Sequence, residues 1–248
     1  LLQNAGLPLA ESGAVTLLGV GSNENYFVVG GGGSGAINVT RADPVATYFT
    51  DAGYSVNPTA IDYFGGITED AFNQVTELPA NVVNSFSDYS DAGIVVISRY
   101  GAESNDIASG RLELTDAERM LVDVAIENFD EAVVLLNTMN AMEVGYLDGK
   151  DVSVLWIGGT GEVRMGAVPE ILNGTRYPSG KLVDTYAYDS YSSPAMQNFG
   201  ASTMNGVASD AAANAYVNYA EGLYVGYRYD EPPYAEFVMC PQNVGHYD

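Results

Sequence analysis

At 248 residues the chain is long enough for one large domain or two small ones, taking roughly 150 residues per domain, and with 47% hydrophobic and 17% charged residues its composition is that of a folded protein. The net charge of −23 comes from 32 acidic residues against only 9 basic ones, so no basic stripe exists to meet phosphates. That argues against nucleic acid and against an anionic membrane as partners, and no apolar run reaches the roughly 18 residues of a membrane span.

Taken in chain order, Val15–Val20 is a short apolar run ending before Gly21 and reads as a buried strand, with a second short run at Tyr26–Val29. The glycine-rich Gly30–Gly35 follows. Pro44–Ala52 has helical spacing with proline suited to a first turn, Gly53 ends it, and Tyr54–Val56 reads as a strand. Glu69–Val83 is a weak helical region interrupted by Pro79. Ala92–Ser98 is the clearest buried strand. Thr115–Asn128 is the clearest helix, because Thr115 and Glu118 have capping-box spacing and Met120, Leu121 and Val124 form an apolar stripe. Further buried strands are expected at Ala132–Leu136 and Val152–Ile157, and a helix across Val163–Leu172 that Pro169 would kink. Beyond Tyr177 tyrosines become dense, and the segment reads as a long irregular wrap used for packing or interfaces.

Strands that are apolar throughout are buried on both faces. Their alternation with helices predicts an α/β fold: a mostly parallel sheet sandwiched between helices, with a Tyr-rich irregular C-terminal segment. In such sheets the loops at the carboxyl ends of the strands carry function, which directs attention to those after Ile97, Leu136 and Ile157.

Chemistry has few candidates. One cysteine, Cys240, and one histidine, His246, exclude a disulfide framework, a Cys-rich zinc site and any metal site built on histidine; no cofactor or metal is indicated. Gly30–Gly35 is not a phosphate loop, because no Gly-Lys-Ser/Thr follows. Gly19-Val-Gly21 follows a strand, but Glu24 stands where a dinucleotide fingerprint needs Gly or Ala, which leaves a nucleotide-binding protein a weak alternative. Gly30–Gly35 is then either a flexible turn or a loop whose backbone comes close to a ligand. Arg99–Asp106 combines two carboxylates, an arginine and small polar residues at the end of the best strand; a solvated loop is its plain alternative. Asn173–Thr185 reads as a structural turn.

Several of these stretches, in order, resemble one family. Leu1–Leu9 (LLQNAGLPL), Gly31–Gly35 (GGGSG), Ile94–Asp106 (IVVISRYGAESND), Val133–Asn137 (VVLLN), Val154–Gly161 (VLWIGGTG), Ile171–Thr185 (ILNGTRYPSGKLVDT) and Tyr219–Tyr229 (YAEGLYVGYRY) are similar to the motifs of the α/β sandwich domain of glycoside hydrolase family 3. The resemblance covers residues 1 to about 230 and leans toward bacterial β-glucosidases; it leaves 231–248 as a linker or the start of another domain. It implies the acid/base-bearing half of a retaining β-glycosidase, with Glu103 as the catalytic acid/base, Ser34 facing the sugar, and the nucleophile Asp supplied by a (β/α)8-type barrel domain outside this chain. The implied partners are a β-glucoside or related oligosaccharide and that barrel, with homo-oligomerisation left open and a bacterial cell interior favoured over secretion. Ala102 and Ser104 replace the family's glycines around Glu103, and Ile107 its arginine. No Ser-Asp-Trp occurs; Ser87-Asp88-Tyr89 is the nearest string. A chain starting Leu-Leu-Gln-Asn, with neither Met nor a signal-peptide pattern, is expected to be a segment cut from within a longer protein. The rival expectation is a non-catalytic carbohydrate-binding or assembly domain of the same fold.

Overall fold

A computed structural model describes residues 1–36, 43–103, 107, 109–161, 165–197, 202–203, 215–216, 219, 221–230 and 238–239. They divide into two units. The first holds Leu1–Met142 and Tyr146–Gly180; the second holds Glu143–Gly145 and Lys181–Cys240.

The apolar runs become the strands of the first unit. These are β1 (Gly13–Leu18), β2 (Tyr54–Val56), β3 (Ala92–Arg99), β4 (Glu131–Thr138) and β5 (Ser153–Trp156). They form one parallel sheet in the order β2-β1-β3-β4-β5. Six consecutive residues of β3, Ala92–Ile97, are buried, as expected for a strand covered on both faces.

Alternation along the strands separates the two faces. Val15, Leu17, Ile94, Val96, Val133, Leu135 and Leu155 share one face and form a single core with Val45 and Phe49 of helix α1 (Val45–Asp51). Helix α2 (Pro58–Gly66) packs on β1, and the other strand residues include Leu18, Val95, Ile97, Val134 and Leu136, all buried. Two short helices follow α2, namely α3 (Glu69–Phe72) and α4 (Ala80–Ser85). The long helix α5 (Asp116–Asn128) packs on β3 and β4.

The N-terminus of α5 is set by the capping box. Thr115 Oγ1 accepts from Glu118 N at 3.2 Å, and Glu118 Oε2 accepts from Thr115 N at 2.8 Å. Helix α2 escapes the sequence reading because its stripe is weak. Its start is nonetheless marked: Asn57 Oδ1 accepts from Thr59 N and Ala60 N, with Pro58 in the first turn.

The short run Tyr26–Val29 stays outside the sheet; its backbone is bonded at Val28 by the Asn137 side chain. Two expectations are revised. The region Glu69–Val83 is two helices: α3 already ends at Phe72, and Pro79, which has no backbone N–H, stands as the N-cap of α4. The last described helix of the first unit, α6 (Val168–Leu172), begins late, with Pro169 in its first turn, while residues 162–164 lie outside the described ones.

The second unit is irregular. Its described pieces include two antiparallel two-residue pairings: β6 (Tyr186–Ala187) with β9 (Val238–Met239), and β7 (Ser202–Thr203) with β8 (Ala215–Tyr216). Tyr229 donates from its hydroxyl to Ser192 O at 3.0 Å, and Ser190 N donates to Glu143 Oε1 at 2.8 Å. Tyr219, Leu223 and Tyr224 are exposed.

Candidate active site

The strand order β2-β1-β3 reverses direction at β1 and β3, which makes the crevice beyond their carboxyl ends the switch point of the sheet. A cavity of about 340 Å³ lies there. Gly19, Val20, Gly21, Phe27, Phe72 and Leu121 are among the residues that line it. Its charged lining residues are already paired: Arg111 binds Glu69 at 2.7 Å, and Glu118 binds Arg99. No uncompensated positive charge faces it among the described residues, so it gives the nucleotide alternative no support.

The Arg99–Asp106 loop leaves β3 beside this cavity. Arg99 is a root for that loop, not a reactive group. It is 3% exposed, and its guanidinium forms a two-bond pair with Glu118 (Nη1–Oε1 and Nη2–Oε2, both 2.7 Å). Its remaining donors reach Ser98 O, Arg111 O and Glu113 O at 2.9, 2.9 and 3.0 Å. All five guanidinium N–H groups are thus satisfied, and one side chain ties the end of β3 at Ser98 to the chain at Arg111 and Glu113.

Asn137, at the end of β4, does the same for the neighbouring loops. It is fully buried; Oδ1 accepts from Val28 N at 2.5 Å and Ser98 Oγ at 3.0 Å, while Nδ2 donates to Val28 O and Gly158 O, both at 2.7 Å. Asn137 therefore joins the approach to the glycine loop, the end of β3 and the turn after β5.

On this frame the two predicted site residues, 69 positions apart, meet. Ser34 donates to Glu103 Oε2 from both its backbone N–H and its hydroxyl, each at 2.9 Å. The glycines explain how the loops come so close. Gly32 N donates to Gly101 O at 3.1 Å. A side-chain carbon on Gly32 would lie 2.5 Å from the Tyr100 hydroxyl, and one on Gly33 would lie 2.3 Å from Glu103 Oε2. Gly33 also has φ +68°, which other residues seldom adopt. The Gly30–Gly35 run is thus neither a free turn nor a phosphate cradle; its backbone lies against the Tyr100–Glu103 segment.

Glu103 is exposed. The Ser34 backbone N–H first, and the Ser34 hydroxyl second, hold its carboxyl below the usual glutamate range, against a small opposing effect of burial. Around it the carboxyl edge of the sheet presents exposed apolar side chains: Tyr100 after β3, Met139 after β4 and Trp156 at the end of β5. Ser87 and Asp88, by contrast, lie in a short turn that precedes β3, at the opposite end of that strand. Residues 104–106, including the second carboxylate of the loop, Asp106, lie outside the described residues. No helix of the described residues is long and apolar enough to cross a membrane, and no group of three or more His, Cys, Asp or Glu among them is placed to hold a metal ion.

The parallel five-stranded sheet with its helices places the chain in the α/β class. The chain belongs to the glycosyl hydrolase family 3 C-terminal domain family, whose model matches residues 1–227. It is 29% identical to a β-glucosidase of Ruminococcus albus over 99% of its own length and 26% of that protein's. Among solved structures it is similar to a β-glucosidase from Paenibacillus barengoltzii (27% identity, TM-score 0.74, 95% of this chain and 26% of that one). It is also similar to β-glucosidase 3B from Thermotoga neapolitana, solved in complex with α-D-glucose (27%, TM-score 0.73, 92% and 34%). The chain therefore spans about a quarter to a third of the proteins it resembles.

Proposed function

We propose that this chain is the acid/base-bearing domain of a retaining β-glycosidase acting on terminal β-D-glucosyl residues, with the nucleophilic Asp supplied by a barrel domain outside the chain. The observation that carries the reading is the carboxylate of Glu103, exposed at the carboxyl end of β3 and held by Ser34 from the glycine loop. Membership of the family and its β-glucosidase relatives support it, as does the apolar edge of Tyr100, Met139 and Trp156, a surface suited to a neighbouring domain or a sugar face. The domain would extend to about residue 230.

In the first step Glu103, as a carboxylic acid, gives its proton to the glycosidic oxygen while the Asp carboxylate attacks the anomeric carbon. The C–O bond to the leaving group breaks, the alcohol departs, and a glycosyl ester forms. In the second step Glu103, now a carboxylate, takes a proton from water as that water attacks the same carbon and releases the Asp. Retention requires the two carboxyl groups about 5–5.5 Å apart. At that distance the Asp charge raises the pKa of Glu103, opposing the two Ser34 donors, so that the first step finds a proton available.

The test uses the enzyme assembled with its barrel. Glu103→Ala is expected to lower turnover of a disaccharide by about 10²–10⁴-fold, to spare substrates with very good leaving groups in the first step, and to regain activity with azide. Unchanged disaccharide turnover would overturn the assignment. The second reading, a non-catalytic carbohydrate-binding domain, draws on one observation: within this chain the local bonds favour carboxylate over acid. Calorimetric binding of a glucoside, with no turnover in the presence of any barrel, is its signature.

A further inference from the structure

Ser34 brings two donors to a single oxygen. The backbone N–H is a donor only, and the hydroxyl spends its one hydrogen on Glu103 Oε2 while keeping its lone pairs for other donors. The position of these donors is enforced. Gly33 adopts φ +68°, and its α-carbon lies so near Glu103 that an added methyl would overlap both the carboxylate oxygen (2.3 Å) and the Glu103 Cβ (2.5 Å). Gly32 is bonded to Gly101 two residues before the carboxylate. The loop is thus fixed to the backbone of the segment whose side chain it binds, and that segment is rooted at Arg99.

This arrangement treats the two halves of a retaining reaction differently. A carboxyl group must carry a proton to act in the first half and must lack one to act in the second. A donor aimed at Oε2 stabilises the carboxylate and competes with a proton on that oxygen. Resting on the acid/base reading of Glu103, we propose that Ser34 is a positioning residue that fixes the Glu103 carboxylate and favours its action as a base on water over its action as an acid on the leaving group. The neighbouring Asp acts in the opposite sense while it is ionised, and that charge disappears once the Asp is esterified in the glycosyl intermediate. The two Ser34 donors remain in place at the step where Glu103 must accept a proton. The lone pairs of the Ser34 hydroxyl stay available to a sugar hydroxyl, so facing the sugar and holding the carboxylate are compatible roles for the same side chain.

The experiment has two readouts. The first is ¹³C NMR titration of the Glu103 carboxyl in the 248-residue chain, which requires no turnover. Ser34→Ala removes the hydroxyl donor and is expected to move the titration upward; Ser34→Thr is expected to restore it. Gly33→Ala, which forces the loop off the carboxylate, is expected to move it in the same direction as Ser34→Ala by a different route. The second readout is kinetic, in the enzyme assembled with its barrel, using a dinitrophenyl glycoside whose departure needs no acid and whose turnover reports the second step. Ser34→Ala is expected to slow that step about 3- to 10-fold and to shift the limb of its pH profile upward, while Ser34→Thr recovers the rate. An unmoved titration in Ser34→Ala overturns the proposal, as does an unchanged second-step rate. Failure of the acid/base reading itself is seen separately, as full disaccharide turnover by Glu103→Ala.

Discussion

Arg99 and Glu103 stand four residues apart on one loop and live under opposite physics. Arg99 is buried, has every donor satisfied, and faces a carboxylate that is itself buried and capped. Glu103 is exposed and accepts two hydrogen bonds from Ser34 on another loop. The root is built for stability and the tip for access. A charge that must exchange protons with a substrate has to remain outside the core, whereas the strand end that aims it must not move.

The contrast is broken most severely at the root. Arg99→Leu leaves Glu118 buried without its partner and unties the end of β3 at Ser98 from the chain at Arg111 and Glu113. It is expected to cost about 3–5 kcal/mol of stability in urea unfolding. Replacing both partners, Arg99→Met with Glu118→Leu, is expected to recover most of that loss, because the stranded charge is gone. Glu103→Gln, at the tip, is expected to leave the urea midpoint where it was while removing disaccharide turnover. A Glu103→Gln protein as destabilised as Arg99→Leu would show that root and tip are not separable.

Asn137 sharpens the comparison one strand further on. Asn137→Leu keeps the volume but abandons Val28 N, Val28 O and Gly158 O inside the structure. At least about 2 kcal/mol of stability is expected to go, read from the urea midpoint. Because the same amide also orders the approach to the glycine loop, the Glu103 titration is expected to change with it, although Asn137 does not touch Glu103.

Most of the sheet was legible because buried parallel strands are apolar without interruption and the helix that matters most carries its own capping box. Helix α2 was not, since its signal lies in Asn57-Pro58 at its start and not in a stripe. The site was legible in its parts. Glu103 and Ser34 are each reached through motif resemblance, but no local pattern states that Gly31–Gly33 lies against Tyr100–Glu103, a tertiary contact between segments far apart in sequence. Arg99 and Asn137 were hidden for a related reason. A polar residue at the carboxyl end of a buried strand reads equally well as a reactive group or as a fully bonded support, and only the list of its partners decides.

The smallest expected effect concerns the opposite edge of the sheet, where a carboxylate is held unfavourably. Glu131 begins β4, and burial first, then the charges of Asp151 and Asp130, raise its pKa. A raised folded-state value means that the proton is held more tightly in the folded chain than in the unfolded one. Ionising Glu131 therefore opposes folding: the cost is absent in acid, below both values, and fully present once the pH has passed the raised one. Glu131→Gln is expected to raise the melting temperature slightly at pH 7 and to leave it unchanged near pH 3.5. Since Glu131 is far along β4 from its carboxyl end, about 23 Å at 3.3 Å per residue, the variant is also expected to leave the Glu103 titration alone. A shift in that titration would mean that the two edges of the sheet communicate, and the separation of a stable root from an accessible tip would no longer be local to one loop.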